Sequence, residues 1–228
     1  MSCEPWIQNL MTTANGSSKG VGGRPRTFSD DAIFEAVTAV LQRDGYRSFS
    51  LRSITRELAC SRQTLIHRFG TTDGLLKAYF EWSQARSLER FALVREQHQS
   101  PLEGLRARLL MPLEDRPDEI GDRRDMAGQL AFGLEATFND DLLGPVRRGH
   151  ELWVEEYARF IEAAIAAGEL RPTDPANLAR QLYATAYGAA VFWVTGGFTG
   201  TFSDAMEWAL DLILAPWMPN PPTADENA

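Results

Sequence analysis

Five side chains between Arg62 and Arg68 have the types and spacing to read a patterned polar surface. Arg62, Gln63, Thr64, His67 and Arg68 surround Leu65, which with Phe69 four residues on marks the inner face of a short helix. Arginine and glutamine make paired hydrogen bonds to guanine and adenine edges in a DNA major groove, and hydroxyls donate to phosphates. No comparable set exists for catalysis. His67, His98 and His150 lie far apart, none has a His or Cys four residues away, and no metal-ligand spacing occurs. Neither a G-x-S-x-G elbow nor a G-x-x-x-x-G-K phosphate loop is present. Glu114-Asp115 and Asp118-Glu119 read as a solvated loop. No enzyme activity, cofactor or metal is expected.

The elements that must position those five side chains lie just before them. Leu51, Ile54 and Leu58 fall at i, i+3 and i+7, one apolar face of a short helix, with Ser50 placed to cap it. Ala59 and Cys60 form a break, and Ser61 can cap the second helix. Two short helices joined by a tight turn, the second polar and basic outside, read as a helix-turn-helix whose second helix enters a major groove. Ser29-Asp30-Asp31 opens a helix before them, with Ile33, Val37, Val40 and Leu41 as its inner stripe and Gly45 as its stop. Tyr46 and Phe49 are expected beneath the three helices.

Residues Thr27–Leu76 resemble the DNA-binding domain of the tetracycline-repressor (TetR) family of bacterial transcription regulators. The matching residues are Ile33, Ala36, Val40, Gly45-Tyr46, Ser50, Leu51, Ile54, Ser61, Thr64-Leu65, Phe69-Gly70 and Leu75-Leu76. Ala59 stands where the family usually has Gly, Cys60 where it has Val, Ile66 where it has Tyr, and Thr72 where it has Lys. The family's Tyr and Lys contact phosphate. The resemblance implies double-stranded operator DNA as a partner, with Ser50, Arg52, Arg62, Gln63, Thr64, His67, Arg68 and Thr72 as DNA-binding residues, and Arg24 and Arg26 join them as a basic arm that precedes the motif. Cys60 reads either as apolar filler or as a redox sensor.

The chain is acidic overall, with a net charge of −8, but the charge is unevenly placed. Residues 1–72 hold nine Lys/Arg against six Asp/Glu, and residues 73–228 hold fourteen against twenty-five. The basic end is the end with the helix-turn-helix, and the acidic remainder belongs away from DNA. No apolar run is long enough to span a membrane and no signal peptide is evident, so a cytoplasmic protein is expected. With two cysteines, one of them at position 3, a structural disulfide is not expected.

The fold expected is all-α, with four parts. Residues 1–26 form a flexible arm whose Arg24-Pro-Arg26 can lie in a minor groove. Residues 27–72 form the DNA-binding domain, 73–217 a helical ligand-binding and dimerisation domain, and 218–228 a disordered tail. Helix 4 runs from Thr71 or Thr72 to about Gln97 and links the two domains as a lever. Ser100-Pro101 starts helix 5, residues 112–121 form a loop, helix 6 spans about Asp122–Phe138, and helix 7 begins at Asn139-Asp140. Helix 8 starts after Asp174-Pro175, and helix 9 covers about Ser203–Pro216. These last two are apolar nearly all round, so each must be covered on two sides, one by the core and one by a second copy. A homodimer through helices 8 and 9 is therefore expected.

The resemblance also implies a cavity in the C-terminal domain that admits a small-molecule effector. Trp82, Phe91, Phe132, Trp153, Tyr157, Tyr183 and Tyr187 are its candidate lining, and each reads equally as ordinary core. An apolar or aromatic effector suits such walls, and the surplus of acid favours a cation over an anion. The overall expectation is a dimeric repressor released from its operator by that effector. The alternative is a helical ligand-binding or enzymatic protein whose helix-turn-helix is only structural.

Overall fold

The computed structural model describes residues 28–110 and 123–220. The expected N-terminal arm with Arg24 and Arg26, the loop at 112–121 and residues 221–228 lie outside the described residues. All the regular structure described is helical, as the periodicity predicts: α1 (Asp30–Asp44), α2 (Leu51–Leu58), α3 (Arg62–Phe69), α4 (Thr72–Gln97), α5 (Pro101–Leu110), α6 (Arg123–Glu135), α7 (Asp140–Ala166), α8 (Pro175–Val194) and α9 (Phe202–Leu214). Short 3-10 turns follow α1, α6 and α9, at Tyr46–Ser48, Ala136–Phe138 and Ala215–Trp217.

Side-chain caps fix where the helices begin. Ser29 accepts from the Ala32 amide at 3.2 Å, Ser50 from Ser53 at 3.3 Å and Ser61 from Thr64 at 3.1 Å. Thr71, not Thr72, caps α4, accepting from Gly74 at 2.9 Å. Asp174 accepts from Ala176 and Asn177 with Pro175 in the first turn of α8, and Thr201 and Asp204 form a reciprocal capping box at α9. Each cap satisfies backbone N–H groups that have no partner within the helix.

Two apolar cores result. The first joins Ile33, Val37 and Val40 of α1, Leu51 and Ile54 of α2, Leu65 of α3, and Leu75 and Leu76 of α4. This core continues past residue 72 into the rest of the chain, taking in Phe132 of α6, Ala136, and Leu142 and Val146 of α7. Tyr46 is half-buried and packs against Phe132 in a tilted arrangement with ring centroids 5.2 Å apart. The second core gathers Phe91 and Val94 of α4 with the inner faces of α5, α7, α8 and α9. Thus α4, 26 residues and about 39 Å long, is built into both cores.

Two polar ties join α4 to α7. Gln84 Nε2 donates to the Pro145 carbonyl at 2.8 Å. Glu156, 2% exposed, receives Arg95 and Arg159, the latter at 2.8 Å. A carboxylate that deep needs such pairing, since an isolated buried charge costs several kcal/mol.

The turn between α2 and α3 carries strain. Ala59 has φ 51° and ψ 36°, and it is the one non-glycine among the described residues with positive φ. An L-residue there costs ~1–2 kcal/mol. Glycine removes that strain and returns ~0.4–1 kcal/mol through its greater freedom when unfolded. Ala59 is exposed, so no packing is lost. Ala59→Gly is expected to stabilise the protein by about 0.5–1 kcal/mol. Urea denaturation measures this, and a lower midpoint for the variant would contradict the strain.

Candidate DNA interface and ligand cavity

The helix-turn-helix presents α3 outward, with Leu65 buried beneath it. Arg62, Gln63 and His67 of α3 and Arg52 of α2 are exposed, and none makes a hydrogen bond or ion pair among the described residues. Four unengaged side chains of this kind, on two adjoining helices, are available to a polar surface outside the chain. Arg56 of α2 is also exposed, and after the Arg43 hydrogen bond its charge helps lower the pKa of Asp44 at the end of α1. The Ser50 and Thr64 hydroxyls lie 3.0 Å from Ser53 Oγ and 2.8 Å from Ser61 Oγ. Thr72 is half-buried at the first position of α4.

Arg68 is placed differently from its neighbours. Its guanidinium pairs with Asp30 at 2.6 Å and donates to the Phe28 carbonyl. It straps α3 to the first turn of α1, so its donors are committed within the chain. Cys60 is half-buried, and burial pushes its thiol pKa up, away from the thiolate form that redox sensing uses.

The candidate effector residues divide into two groups. Phe132, Trp153, Tyr183 and Tyr187 line a cavity of about 180 Å³ between α4, α6, α7 and α8. Trp82, Phe91 and Tyr157 are not among its lining residues. The Trp82 indole donates to Asp31 at 2.7 Å, fixing α4 to α1. Phe91 and Tyr157 are fully buried in the second core. Arg108, only 2% exposed, lies with its guanidinium carbon 4.6 Å from the Phe91 ring centroid and 4.2 Å from that of Trp153.

The rest of the lining was missed in the sequence: Phe80, Ser83, Gln84 and Ser87 of α4, Gln129 and Gly133 of α6, and Val146, Gly149 and His150 of α7. A signal was present. Residues 80, 83, 84 and 87, and again 146, 149, 150 and 153, fall at i, i+3, i+4 and i+7, a single helical face. The polar members hid it, because a search for apolar stripes passes over Ser, Gln and His.

His150 Nδ1 and the Tyr183 hydroxyl are hydrogen-bonded at 2.6 Å, and both Tyr183 and Tyr187 meet the imidazole edge-on. Burial lowers the His150 pKa and raises those of Tyr183 and Tyr187, so each is held in its neutral form. Among the described residues, no group of His, Cys, Asp and Glu could hold a metal ion, and no helix is long and apolar enough to cross a membrane.

Comparison with known proteins places this geometry. Residues 33–79 match the family described as bacterial regulatory proteins, tetR family. An HTH-type transcriptional regulator of Bacillus subtilis (strain 168), YfiR, is 24% identical over 145 residues, covering 63% of this chain and 68% of that protein. Three solved structures share the fold. A transcriptional regulator from Saccharomonospora viridis in complex with choline is 20% identical, with a TM-score of 0.70, covering 84% of this chain and 98% of that one. Regulatory protein TetR from Rhodobacter sphaeroides is 19% identical, with a TM-score of 0.70 and coverages of 84% and 100%. SmeT, the repressor of the Stenotrophomonas maltophilia multidrug efflux pump SmeDEF, is 21% identical, with a TM-score of 0.65 and coverages of 88% and 97%.

The neutral state of His150 has a consequence in acid. Its folded pKa lies below the ordinary 6.5, so the unfolded chain takes the proton first as pH falls. Stability is then lost as pH drops through 6.5 toward the folded value, and it is regained above. Urea midpoints at about pH 8 and about pH 5.5 should differ by less in His150→Gln than in the unaltered protein. An identical difference in both would show that His150 does not contribute.

Proposed function

We propose that the chain, whose residues 33–79 match the bacterial regulatory proteins of the tetR family, is a dimeric repressor that leaves its operator when a small molecule enters the cavity between α4, α6, α7 and α8. The observation that carries this reading is the double membership of Phe132. Its ring lines the cavity and also belongs to the apolar core that holds the helix-turn-helix. It stacks on Phe80 of α4 at 4.7 Å and meets Tyr46, in the turn between α1 and α2, at 5.2 Å. A molecule that displaces Phe132 therefore presses on the α1–α2 turn and on α4 together. The ligand must bind the arrangement that fits DNA poorly better than the one that fits it well. A coupling of ~1–3 kcal/mol weakens operator binding about 5–150-fold. One relative of the same fold holds choline and another represses a multidrug efflux pump, which accords with small-molecule control.

On DNA, Arg62, Gln63 and His67 face base edges, and Arg52, Ser50, Thr64 and Thr72 serve phosphates. Arg24 and Arg26 follow the backbone into the minor groove. Arg68 holds the reading helix in place. One α3 reads only a few base pairs, so two copies must act together on half-sites about 34–36 Å apart or a multiple of it.

The surface for pairing lies on α8 and α9. Ala184, Gly188 and Phe192 are exposed at intervals of four on α8, as are Trp208 and Leu212 on α9, although both helices bury a full apolar face inward. Phe192, Trp208 and Leu212 are each about half exposed, at 54%, 48% and 53%. Small residues beside large ones on a helix pair give close backbone approach and a large apolar contact. Pairing of the two copies through this face makes a four-helix junction of isologous type.

Selection of duplexes from a random pool with the purified chain tests the reading. Arg62→Ala and Gln63→Ala are each expected to relax base preference, at ~1–3 kcal/mol per lost paired contact. Replacing Arg24 and Arg26 should weaken all duplexes alike and flatten the salt dependence. A chain that enriches no duplex at moderate salt is not a specific DNA binder. Light scattering tests the pairing: twice 25.4 kDa is expected for the chain, and about 25.4 kDa for Phe192→Glu combined with Trp208→Glu. A monomeric mass for the unaltered chain would remove the dimer.

A further inference from the structure

We infer that the cavity takes an uncharged molecule of a single aromatic ring with a small hydrogen-bonding substituent, such as a phenol, held by ring stacking and by the Ser87 hydroxyl. The inference rests on the cavity being the effector site, and it names the ligand class. Size comes first. A cavity of about 180 Å³ has room for one six-membered ring with a short substituent, since benzene fills an apolar cavity of about 150 Å³. The ring walls come next. Phe80, Phe132, Trp153 and Tyr183 supply aromatic faces and edges from four different helices, against which a flat ring packs in offset or edge-on geometry.

Charge excludes the alternatives. None of the described lining residues bears a carboxylate, ammonium or guanidinium group. An ion would give up part of its hydration here with no opposite charge in the described lining to replace it, against ~0.5–2 kcal/mol from ring faces. The Arg108 guanidinium is already stacked at 4.2 Å from the Trp153 centroid, which further disfavours a second cation against that ring. The acidic surplus of the chain, which favoured a cation over an anion, acts from outside the cavity and does not supply a counter-ion within it. The polar lining instead consists of neutral donors and acceptors, with His150 and Tyr183 engaged with each other.

Ser87 gives the second, independent observation. It is 9% exposed, lines the cavity from the middle of α4, and makes no hydrogen bond among the described residues. The hydroxyl is open to the cavity, so a ligand that displaces water from it must offer a partner or leave it unsatisfied at a cost of ~1–3 kcal/mol. A hydroxyl or carbonyl on the ligand completes it. A purely hydrocarbon ring leaves it as it is.

Calorimetric titration of the full chain with four probes of similar size tests the class: p-cresol, p-xylene, benzoate and benzyltrimethylammonium. Binding of p-cresol is expected with a Kd of about 1 mM or tighter, with p-xylene about tenfold weaker and the two ions weaker still. Ser87→Ala should reduce p-cresol affinity about five- to tenfold and leave p-xylene unchanged, a pattern that a general loss of structure does not give. Tighter binding of benzoate or benzyltrimethylammonium than of p-cresol overturns the ligand class and leaves the effector site standing. Equal p-cresol binding by the chain and by Ser87→Ala overturns the role of Ser87. Failure of all four to bind overturns both the class and the cavity as an effector site.

Discussion

The aromatic contact of Phe132 with Phe80, Tyr79 and Tyr46 is the constraint on which the rest depends. It sets α6 against both α4 and the turn that follows α1, with centroids 4.7, 6.3 and 5.2 Å apart. Close packing of this kind has few intermediate arrangements, because rings that stack at van der Waals distance cannot slide without clash or void. Gly128, one turn earlier on α6, reinforces the approach. A Cβ there would stand 3.0 Å from the Leu41 carbonyl oxygen, so α6 and the end of α1 come nearly to backbone contact. The DNA-binding helices are thus not a bead on a string. They share an apolar core with the wall of the cavity.

The remaining ties make the frame around that contact stiff. Trp82 and Arg68 fasten α4 and α3 to the first turn of α1, both through aspartates at its N-terminus. Those aspartates also complement the positive end of the α1 dipole. Farther along α4, Gln84 and Arg95 hold α7. Arg108 fills the space between Phe91 and Trp153 with a flat cation that rings accept on their faces. The helix that leaves the reading head therefore reaches the second core without a break, and displacement at its middle is not absorbed locally. The long α4 and the short α6 meet through Phe80 and Phe132.

The surface divides its work by exposure. The reading helix keeps Arg62, Gln63 and His67 unengaged, which lets their hydrogen bonds be made to another molecule without first breaking internal ones. The face of α8 and α9 proposed for pairing keeps apolar groups exposed on helices that already bury their other side. In the sequence, the acidic surplus falls in residues 73–228.

Local order was legible in the sequence because local rules produce it. Ser29, Ser50, Ser61 and Asp174 announced their helices, since a capping side chain needs only an amide three residues away. The apolar stripes of α1 and α2 and the all-round apolar character of α8 and α9 followed from the 3.6-residue period. Resemblance over Thr27–Leu76 identified the reading head. What the sequence could not decide is which side chains meet across helices. Arg68 and Arg62 look alike as residues of one helix, yet only Arg68 finds Asp30 and the Phe28 carbonyl, thirty-eight and forty positions away. Trp82, Phe91 and Tyr157 had the same composition-level claim to a cavity as Trp153 and Tyr183. Packing assigned the first three elsewhere and brought Ser87, His150 and Gly149 to the site instead. Helix period fixes which residues share a face. Only tertiary contact, through crossing geometry and ring stacking between segments distant in sequence, fixes what that face meets.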